Sequence, residues 1–89
     1  MPEISRFFDI IDAKYVDNFN VEVTFETGEK GIVDFKEYLH RDGFFSSLKD
    51  VGYFKKIYVN KDIGTICWPN GLDIAPETVY SKLMKAKNP

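Results

Sequence analysis

The fold is decided by residues 21–26, which read Val21-Glu22-Val23-Thr24-Phe25-Glu26. Apolar and polar side chains alternate along this stretch, as they do in a β-strand that buries one face and exposes the other. Residues 27–29 predict a turn, because Gly28 tolerates the positive φ that tight hairpins need. Residues 31–35 then return as the second arm of a hairpin.

Residues on both sides extend this hairpin. Upstream, residues 7–16 (FFDIIDAKYV) are rich in aromatic and β-branched types, which favour a strand. Downstream, a short helix is predicted by three apolar residues at i, i+3 and i+4, namely Phe35, Tyr38 and Leu39. Asp34 and Glu37 have the spacing of a capping box at its start. We expect one or two further helical turns before Phe54, which would place phenylalanines beneath the sheet.

The last third of the chain predicts a second hairpin and a helix. Residues 56–60 and 64–68 are its two arms, with Gly64 at a position that favours positive φ. Residues 69–71 (Pro-Asn-Gly) predict a turn. A helix is predicted from Pro76 to Lys87, because proline suits the first helical position. Its core-facing stripe is Val79, Tyr80, Leu83 and Met84.

The predicted fold class is α+β, with an antiparallel sheet of two hairpins plus an N-terminal strand. The element order is β-β-β-α-β-β-α, and the C-terminal helix packs on the sheet. We expect the apolar residues of 21–25 to face the same core as Val79, Leu83 and Met84. A chain of 89 residues allows one domain, spanning 1–89.

Composition excludes several classes of protein. The formal net charge is −2, and 44% of the residues are hydrophobic, which is too apolar for a disordered segment. Charged residues interrupt the start of the chain, and no apolar run is long enough to cross a bilayer, so we expect no signal peptide and no membrane span. Cys67 is the only cysteine, which excludes an internal disulfide and a cysteine-based zinc site. We predict a soluble, cytoplasmic domain.

The most distinctive motif is the string GTICWPNGLDIAPETVY at 64–80, which contains the cluster W-P-N-G-x-D-x-x-P-E. Together with positions upstream, this string resembles a family of small bacterial domains of unknown function, number twenty-four forty-two. The matching positions, spread over nearly the whole chain, are Phe25, Gly28, Asp34, Leu39, Phe45, Leu48, Phe54, Val59, Gly64, Thr65, Ile66, Trp68, Pro69, Asn70, Gly71, Asp73, Pro76, Glu77 and Tyr80. Cys67 stands where the family more often has a branched aliphatic residue, and Ile74 replaces a frequent leucine.

The resemblance implies a limited amount about function. It implies a stand-alone domain, or one that in relatives is fused to a helix-turn-helix DNA-binding segment. Some members lie beside genes for another small uncharacterised protein. The resemblance brings no activity, cofactor or catalytic residue.

The W-P-N-G-x-D segment has a structural and a functional interpretation. In the structural one, Trp68 anchors the core, residues 69–71 end the strand and turn the chain, and Asp73 bonds to amides before the helix. In the functional one, the segment is a binding patch, since exposed tryptophan is favoured at interaction hot spots. The candidate interaction residues are Trp68, Pro69, Asn70, Gly71, Asp73 and Glu77.

No pattern in the sequence predicts catalysis, a metal or a cofactor. His40 and Cys67 are the only residues that invite nucleophilic chemistry, and Cys67 lies in a predicted strand, where thiols are usually buried and inert. The carboxylates lack metal-ligand spacing. The lysines near the C-terminus are interpreted as a solvated helix face rather than a nucleic-acid surface, because the chain is acidic overall and has few arginines.

The favoured function is a non-enzymatic protein-protein interaction or regulatory module. The expected partner is a second copy, giving a homodimer, or a small partner protein, through a surface that includes residues 7–16. One alternative is an accessory to a DNA-binding regulator, which rests on the relatives fused to helix-turn-helix segments. A small enzyme is the other alternative.

Overall fold

The computed structural model describes residues 9–41 and 43–87. Its first half contains three antiparallel strands, β1 (Ile10–Asp17), β2 (Asn20–Phe25) and β3 (Lys30–Asp34). They form a sheet in the order β1-β2-β3, which we call sheet A. The predicted hairpin of β2 and β3 is therefore confirmed. Phe7 and Phe8, which the sequence assigned to the first strand, lie outside the described residues.

The second half begins with short helices and ends with a longer one. Two 3₁₀ helices (Lys36–His40 and Gly43–Lys49) precede α1 (Val51–Phe54). Three strands follow, β4 (Tyr58–Asn60), β5 (Thr65–Cys67) and β6 (Asp73–Ile74). They pair in the order β4-β5-β6, which we call sheet B. The chain then forms α2 (Pro76–Lys87), with the bounds that the sequence predicts.

Apolar and polar side chains alternate along β2, so its apolar side chains share one core with those of α2. The side chains of Val21, Val23 and Phe25 are fully buried, and Val79 and Leu83 of α2 belong to the same cluster. Met84 packs against that cluster at its margin. The predicted strand register and the predicted helix stripe are both confirmed.

The helical segment inserts a phenylalanine at the centre of the core. Phe54 is fully buried, and its ring centroid lies 5.1 Å from that of Phe19 and 5.6 Å from that of Trp68. Asp50 begins α1, since its side chain accepts a hydrogen bond from the Gly52 amide at 2.9 Å. The expectation that helical turns place phenylalanines beneath the sheet is thus confirmed for Phe54.

Sheets A and B are joined at the start of β1. The Ile10 amide donates to the Gly64 carbonyl at 2.9 Å, and the Glu26 amide donates to the Asp9 carbonyl at 2.8 Å. Gly64 has φ of 65°, and a Cβ built on it would lie 2.8 Å from the Asp9 Cα. Only glycine fits here, because the backbone is left-handed and the neighbouring main chain is too close for a side chain.

The α+β class and the order of the predicted elements are confirmed, and two details differ. The strands divide between two sheets, and β6 is an additional strand, since two residues are too few to show a periodic pattern. At the first 3₁₀ helix, Asp34 accepts the Lys36 amide at 2.8 Å, but Glu37 contacts Lys82 instead of completing a capping box. Within the described residues, neither α-helix has the length or the apolar character that crossing a bilayer requires.

Candidate functional site

Trp68 anchors the motif segment in the core. Its side chain is fully buried, and its indole Nε1–H donates to the Phe54 carbonyl at 3.0 Å. A buried indole N–H needs such a partner, because an unpaired donor would carry the full cost of lost hydration. The structural interpretation is confirmed for Trp68, which therefore cannot serve as an exposed anchor for a partner.

Residues 69–71 turn the chain tightly after Trp68. The Trp68 amide donates to the Leu72 carbonyl at 2.9 Å, and the Gly71 amide donates back to the Trp68 carbonyl at 3.1 Å. Gly71 has φ of 93°, a value that glycine adopts without strain. The Asn70 side chain completes the turn, because its Oδ1 accepts the Leu72 amide at 3.0 Å.

Asn70 also ties the turn to the helical segment. Its backbone amide donates to the Tyr53 hydroxyl at 2.8 Å, and its Nδ2 donates to the Ser47 Oγ at 3.2 Å. The turn therefore holds the second 3₁₀ helix and α1 against sheet B. Pro69, Asn70 and Gly71 are themselves exposed, so this tip faces solvent.

The side chain of Asp73 does not form the hydrogen bonds that the sequence predicts. Its side chain is exposed and forms no hydrogen bond to any residue that the structure describes, so the expectation that it bonds to amides before α2 is wrong. The physical reason is that Asp73 lies in β6, where it pairs with Cys67 and its side chain points to the opposite face from that of the buried Ile74. The first amides of α2, from Thr78 and Val79, donate to the Ala75 carbonyl instead.

Cys67 and His40 lie in different environments. Cys67 is buried in β5, and burial, with the Asp73 carboxylate as a second cause, raises the pKa of its thiol above the usual value of 9.0. His40 is exposed at the end of the first 3₁₀ helix. The described residues contain no hydrogen bond between the two side chains. Nor does that part of the chain bring three His, Cys, Asp or Glu side chains close enough to hold a metal ion.

A stack of aromatic and cationic side chains lies outside the predicted motif. The rings of Tyr38 and Phe45 stack with centroids 5.5 Å apart and planes 20° from parallel. The Arg41 guanidinium carbon lies 4.5 Å from the Tyr38 centroid and 5.3 Å from that of Phe45. Such contacts hold a guanidinium in a fixed orientation. Tyr38 and Arg41 have the i, i+3 spacing that could have signalled this stack, but Phe45 lies in another helix.

A groove runs between this stack and the end of β6. It encloses about 270 Å³ and is bounded on one side by Tyr38, Arg41 and Phe45. The other side consists of residues 73–75 and Thr78. We call this the β6 groove. It brings Asp73 of the predicted motif opposite a cation that the motif did not include.

The comparison with known protein families covers the sheets and the turn described above. Positions 10–84 match the family described as Protein of unknown function (DUF2442). The chain belongs to this family. The match includes both sheets and the turn at 69–71, and it confirms the resemblance drawn from the sequence. No curated protein and no solved structure gave a significant match.

Glu77, the last candidate residue, lies in a second groove of this DUF2442 domain. That groove encloses about 420 Å³ between α2 and the first 3₁₀ helix, and Glu37, Lys82 and Lys85 also line it. Lys82 Nζ lies 2.5 Å from Glu37 Oε1, and this hydrogen bond lowers the pKa of the Glu37 carboxyl below 4.5. The bond stabilises the fold above the usual carboxyl pKa, and the contribution is lost as the pH falls through the lowered value.

Proposed function

We propose that this DUF2442 domain is a cytoplasmic, non-enzymatic module that works by contact with another protein chain. The contacting chain is a second copy or a small partner protein, and the contact surface includes β1. The free buried thiol of Cys67 is compatible with a reducing compartment. Neither an accessory role beside a DNA-binding regulator nor an enzymatic role has an observation in its favour among the described residues.

The observation that carries the proposal is the exposure of two large apolar side chains on β1. Ile11 is 47% exposed and Val16 is 49% exposed. Single exposed apolar residues are common on protein surfaces, but β1 combines two of them in one eight-residue strand at the edge of sheet A. Covering both would remove apolar surface from water, which favours association.

The ladder of β1 indicates what kind of contact this is. Its pairing with β2 is irregular between Ile10 and Asp12 and again between Tyr15 and Asp17, so Ile11 and Val16 lie at the two irregular positions. Irregular ladders discourage the addition of another strand to an edge. Tyr15 is half-buried against Phe54 rather than available to a partner. We therefore propose contact through the side chains of Ile11 and Val16.

Light scattering at micromolar concentration tests self-association, and capture from a native lysate followed by mass spectrometry tests a partner. We expect Ile11→Glu and Val16→Glu each to reduce the associated fraction, because a carboxylate would have to be desolvated in the contact. Ile32→Glu is the matched control, since Ile32 is 45% exposed but lies on β3, at the opposite edge of sheet A.

The outcome that would overturn the proposal is specific. A strict monomer whose captured proteins are the same for the wild type, Ile11→Glu and Val16→Glu would leave β1 without a partner. Equal loss of association in Ile32→Glu would show that any added charge disrupts the complex, and the assignment to β1 would then be wrong.

A further inference from the structure

We infer that the β6 groove is a docking site for an extended segment of a partner protein that carries an acidic side chain. The segment adds a strand to the free edge of β6, and its carboxylate pairs with Arg41. This inference deepens the proposed function by naming a second contact surface and the chemistry of its ligand.

The first argument comes from the shape of the groove. It contacts residues 73, 74 and 75 in succession, whereas a cavity on one face of a strand contacts alternate residues. The side chain of Ile74 is buried in the core, so Ile74 presents its main chain to the groove. The groove therefore follows the edge of β6. Its volume of about 270 Å³ lies below the ~300–1,000 Å³ of typical small-molecule sites.

The second argument concerns the main-chain groups at that edge. Trp68 donates to the carbonyl of Leu72, so these two residues are a hydrogen-bonded pair of the antiparallel ladder. Such pairs alternate with non-bonded pairs, which makes Cys67 and Asp73 non-bonded and Ile66 and Ile74 bonded. The N–H and C=O of Asp73 therefore point away from β5. Neither group has a hydrogen-bond partner among the described residues.

The ladder of β6 is two residue pairs long, and these two pairs follow each other without a register shift. A regular edge with free main-chain groups is the feature that recognition by strand addition requires. The main chain would give affinity to any extended segment, so specificity must come from side chains next to the edge.

The third argument is the charge that faces this edge. The Arg41 guanidinium carbon lies 4.5 Å from the Tyr38 ring centroid and 5.3 Å from that of Phe45. Its N–H groups form no hydrogen bond with a carboxylate of the described residues. Glu37 does not satisfy them, because its closest approach to Arg41 is 3.8 Å and Lys82 holds it at 2.5 Å. Arg41 is thus a half-exposed cation whose ion pair with Glu37, at 3.8 Å, is too long for a hydrogen bond, and a carboxylate on the docked segment would supply one.

The experiment uses the full chain labelled with ¹⁵N and three synthetic peptides with blocked ends. The first peptide is Thr-Ser-Val-Glu-Val-Ser-Thr, and the other two carry glutamine or lysine in place of the central glutamate. We expect the glutamate peptide to shift the amide signals of Asp73 and Ala75 and the Arg41 side-chain signal. The lysine peptide should bind more weakly by at least about fivefold.

Variants separate main-chain recognition from charge recognition. Asp73→Pro removes the edge N–H without touching the ladder bonds of Ile74, so binding should be lost, whereas Asp73→Asn keeps the main chain and should still bind. Arg41→Gln changes only an exposed side chain and should remove the preference for glutamate while the fold is retained. If Asp73→Pro fails to fold, Arg41→Gln still tests whether Arg41 recognises the glutamate.

Each result leads to one conclusion. Shifts at β1 instead of β6, or equal affinity for the three peptides, would overturn the inference. Dimerisation of the chain through β6 would assign the edge to a second copy and would also overturn it. If no peptide binds while Ile11→Glu still disrupts an association, the β6 inference fails and the proposed function stands. If a peptide binds at β6 but no chain binds at β1, the proposal that β1 is a contact surface is wrong, and the β6 inference stands.

Discussion

Two hairpin turns of this chain reverse direction by different means. After Trp68 the turn uses Gly71 at φ of 93°, and the Asn70 side chain replaces a missing main-chain acceptor. After β1 the turn uses Asn18 at φ of 48° and Phe19 at φ of 64°. A phenylalanine in the left-handed region costs about 1–2 kcal/mol, because its Cβ approaches the following carbonyl.

The difference shows where packing overrides local preference. Phe19 is held by its edge-on contact with Phe54, and its carbonyl accepts the Phe35 amide at 3.1 Å. The turn at 18–19 is therefore formed against its own backbone preference by contacts with the helical segment and β3. The turn at 69–71 has no such conflict, and its stability comes from Trp68 beneath it.

Trp68→Ala tests that dependence and has the largest expected effect. Removing a fully buried indole leaves a cavity, and we expect the free energy of unfolding to fall by about 3–5 kcal/mol. Trp68→Phe is the control, because it fills much of the volume but cannot donate to Phe54, and its loss should be clearly smaller. Urea denaturation monitored by circular dichroism measures both, and equal losses would mean that the hydrogen bond rather than the volume matters.

Phe19→Ala and Phe19→Gly test the strained turn as a pair. Both variants lose the contact with Phe54, but only glycine also relieves the left-handed backbone. We expect Phe19→Gly to be more stable than Phe19→Ala by about 1 kcal/mol, and both to be less stable than the wild type. If alanine proved the more stable of the two in urea denaturation, Phe19 would not be strained in solution.

Asn70→Ala and Asn70→Asp test the side chain in the unstrained turn. Asn70→Ala loses the acceptor for the Leu72 amide and the donor to Ser47, and should cost about 1 kcal/mol. Asn70→Asp keeps the acceptor and should cost less. Thermal unfolding gives the order, and a neutral Asn70→Ala variant would show that the glycine alone makes this turn.

Cys67 precedes Trp68 and therefore reports on the region of the turn at 69–71. This test disturbs the structure least, since it needs no substitution. Native Cys67 should react slowly with a disulfide reagent, and because burial raises its pKa, the rate should still increase with pH above pH 9.0. Stability should be unaffected below that pH and should fall as the pH rises through the raised pKa. Protein unfolded in urea is the control. If Cys67 of the native protein were labelled as fast as Cys67 of the unfolded protein, it would not be buried in solution.

Sequence reasoning succeeded where a local rule determined the structure. The alternation at 21–25 gave the register of β2, and Pro76 with the following apolar stripe gave the start and the buried face of α2. Sequence reasoning failed where contacts between residues far apart in the chain determine the structure. β6 exists because Asp73 and Ile74 pair with β5, and Phe19 is left-handed because Phe54 packs against it.

The same reasoning explains what was missed at the candidate site. Trp68 and the turn at 69–71 were predicted from turn chemistry that acts within a few residues. The groove was not predicted, because it joins Arg41 and Phe45 of one segment to residues 73–75 of another. Asp73 was expected from its position along the chain to bond to amides before α2, whereas its orientation depends on the pairing partner of β6.

The contact between Asp9 and Gly64 has a consequence for the order of folding. Ile10 and Gly64 are separated by 53 residues, so the first strand cannot join sheet B until the second hairpin has been synthesised. Closing so long a loop carries an entropic cost that only later contacts repay. In a chain emerging from the ribosome, the strands of sheet A would therefore be able to pair before β1 contacts the residues of sheet B.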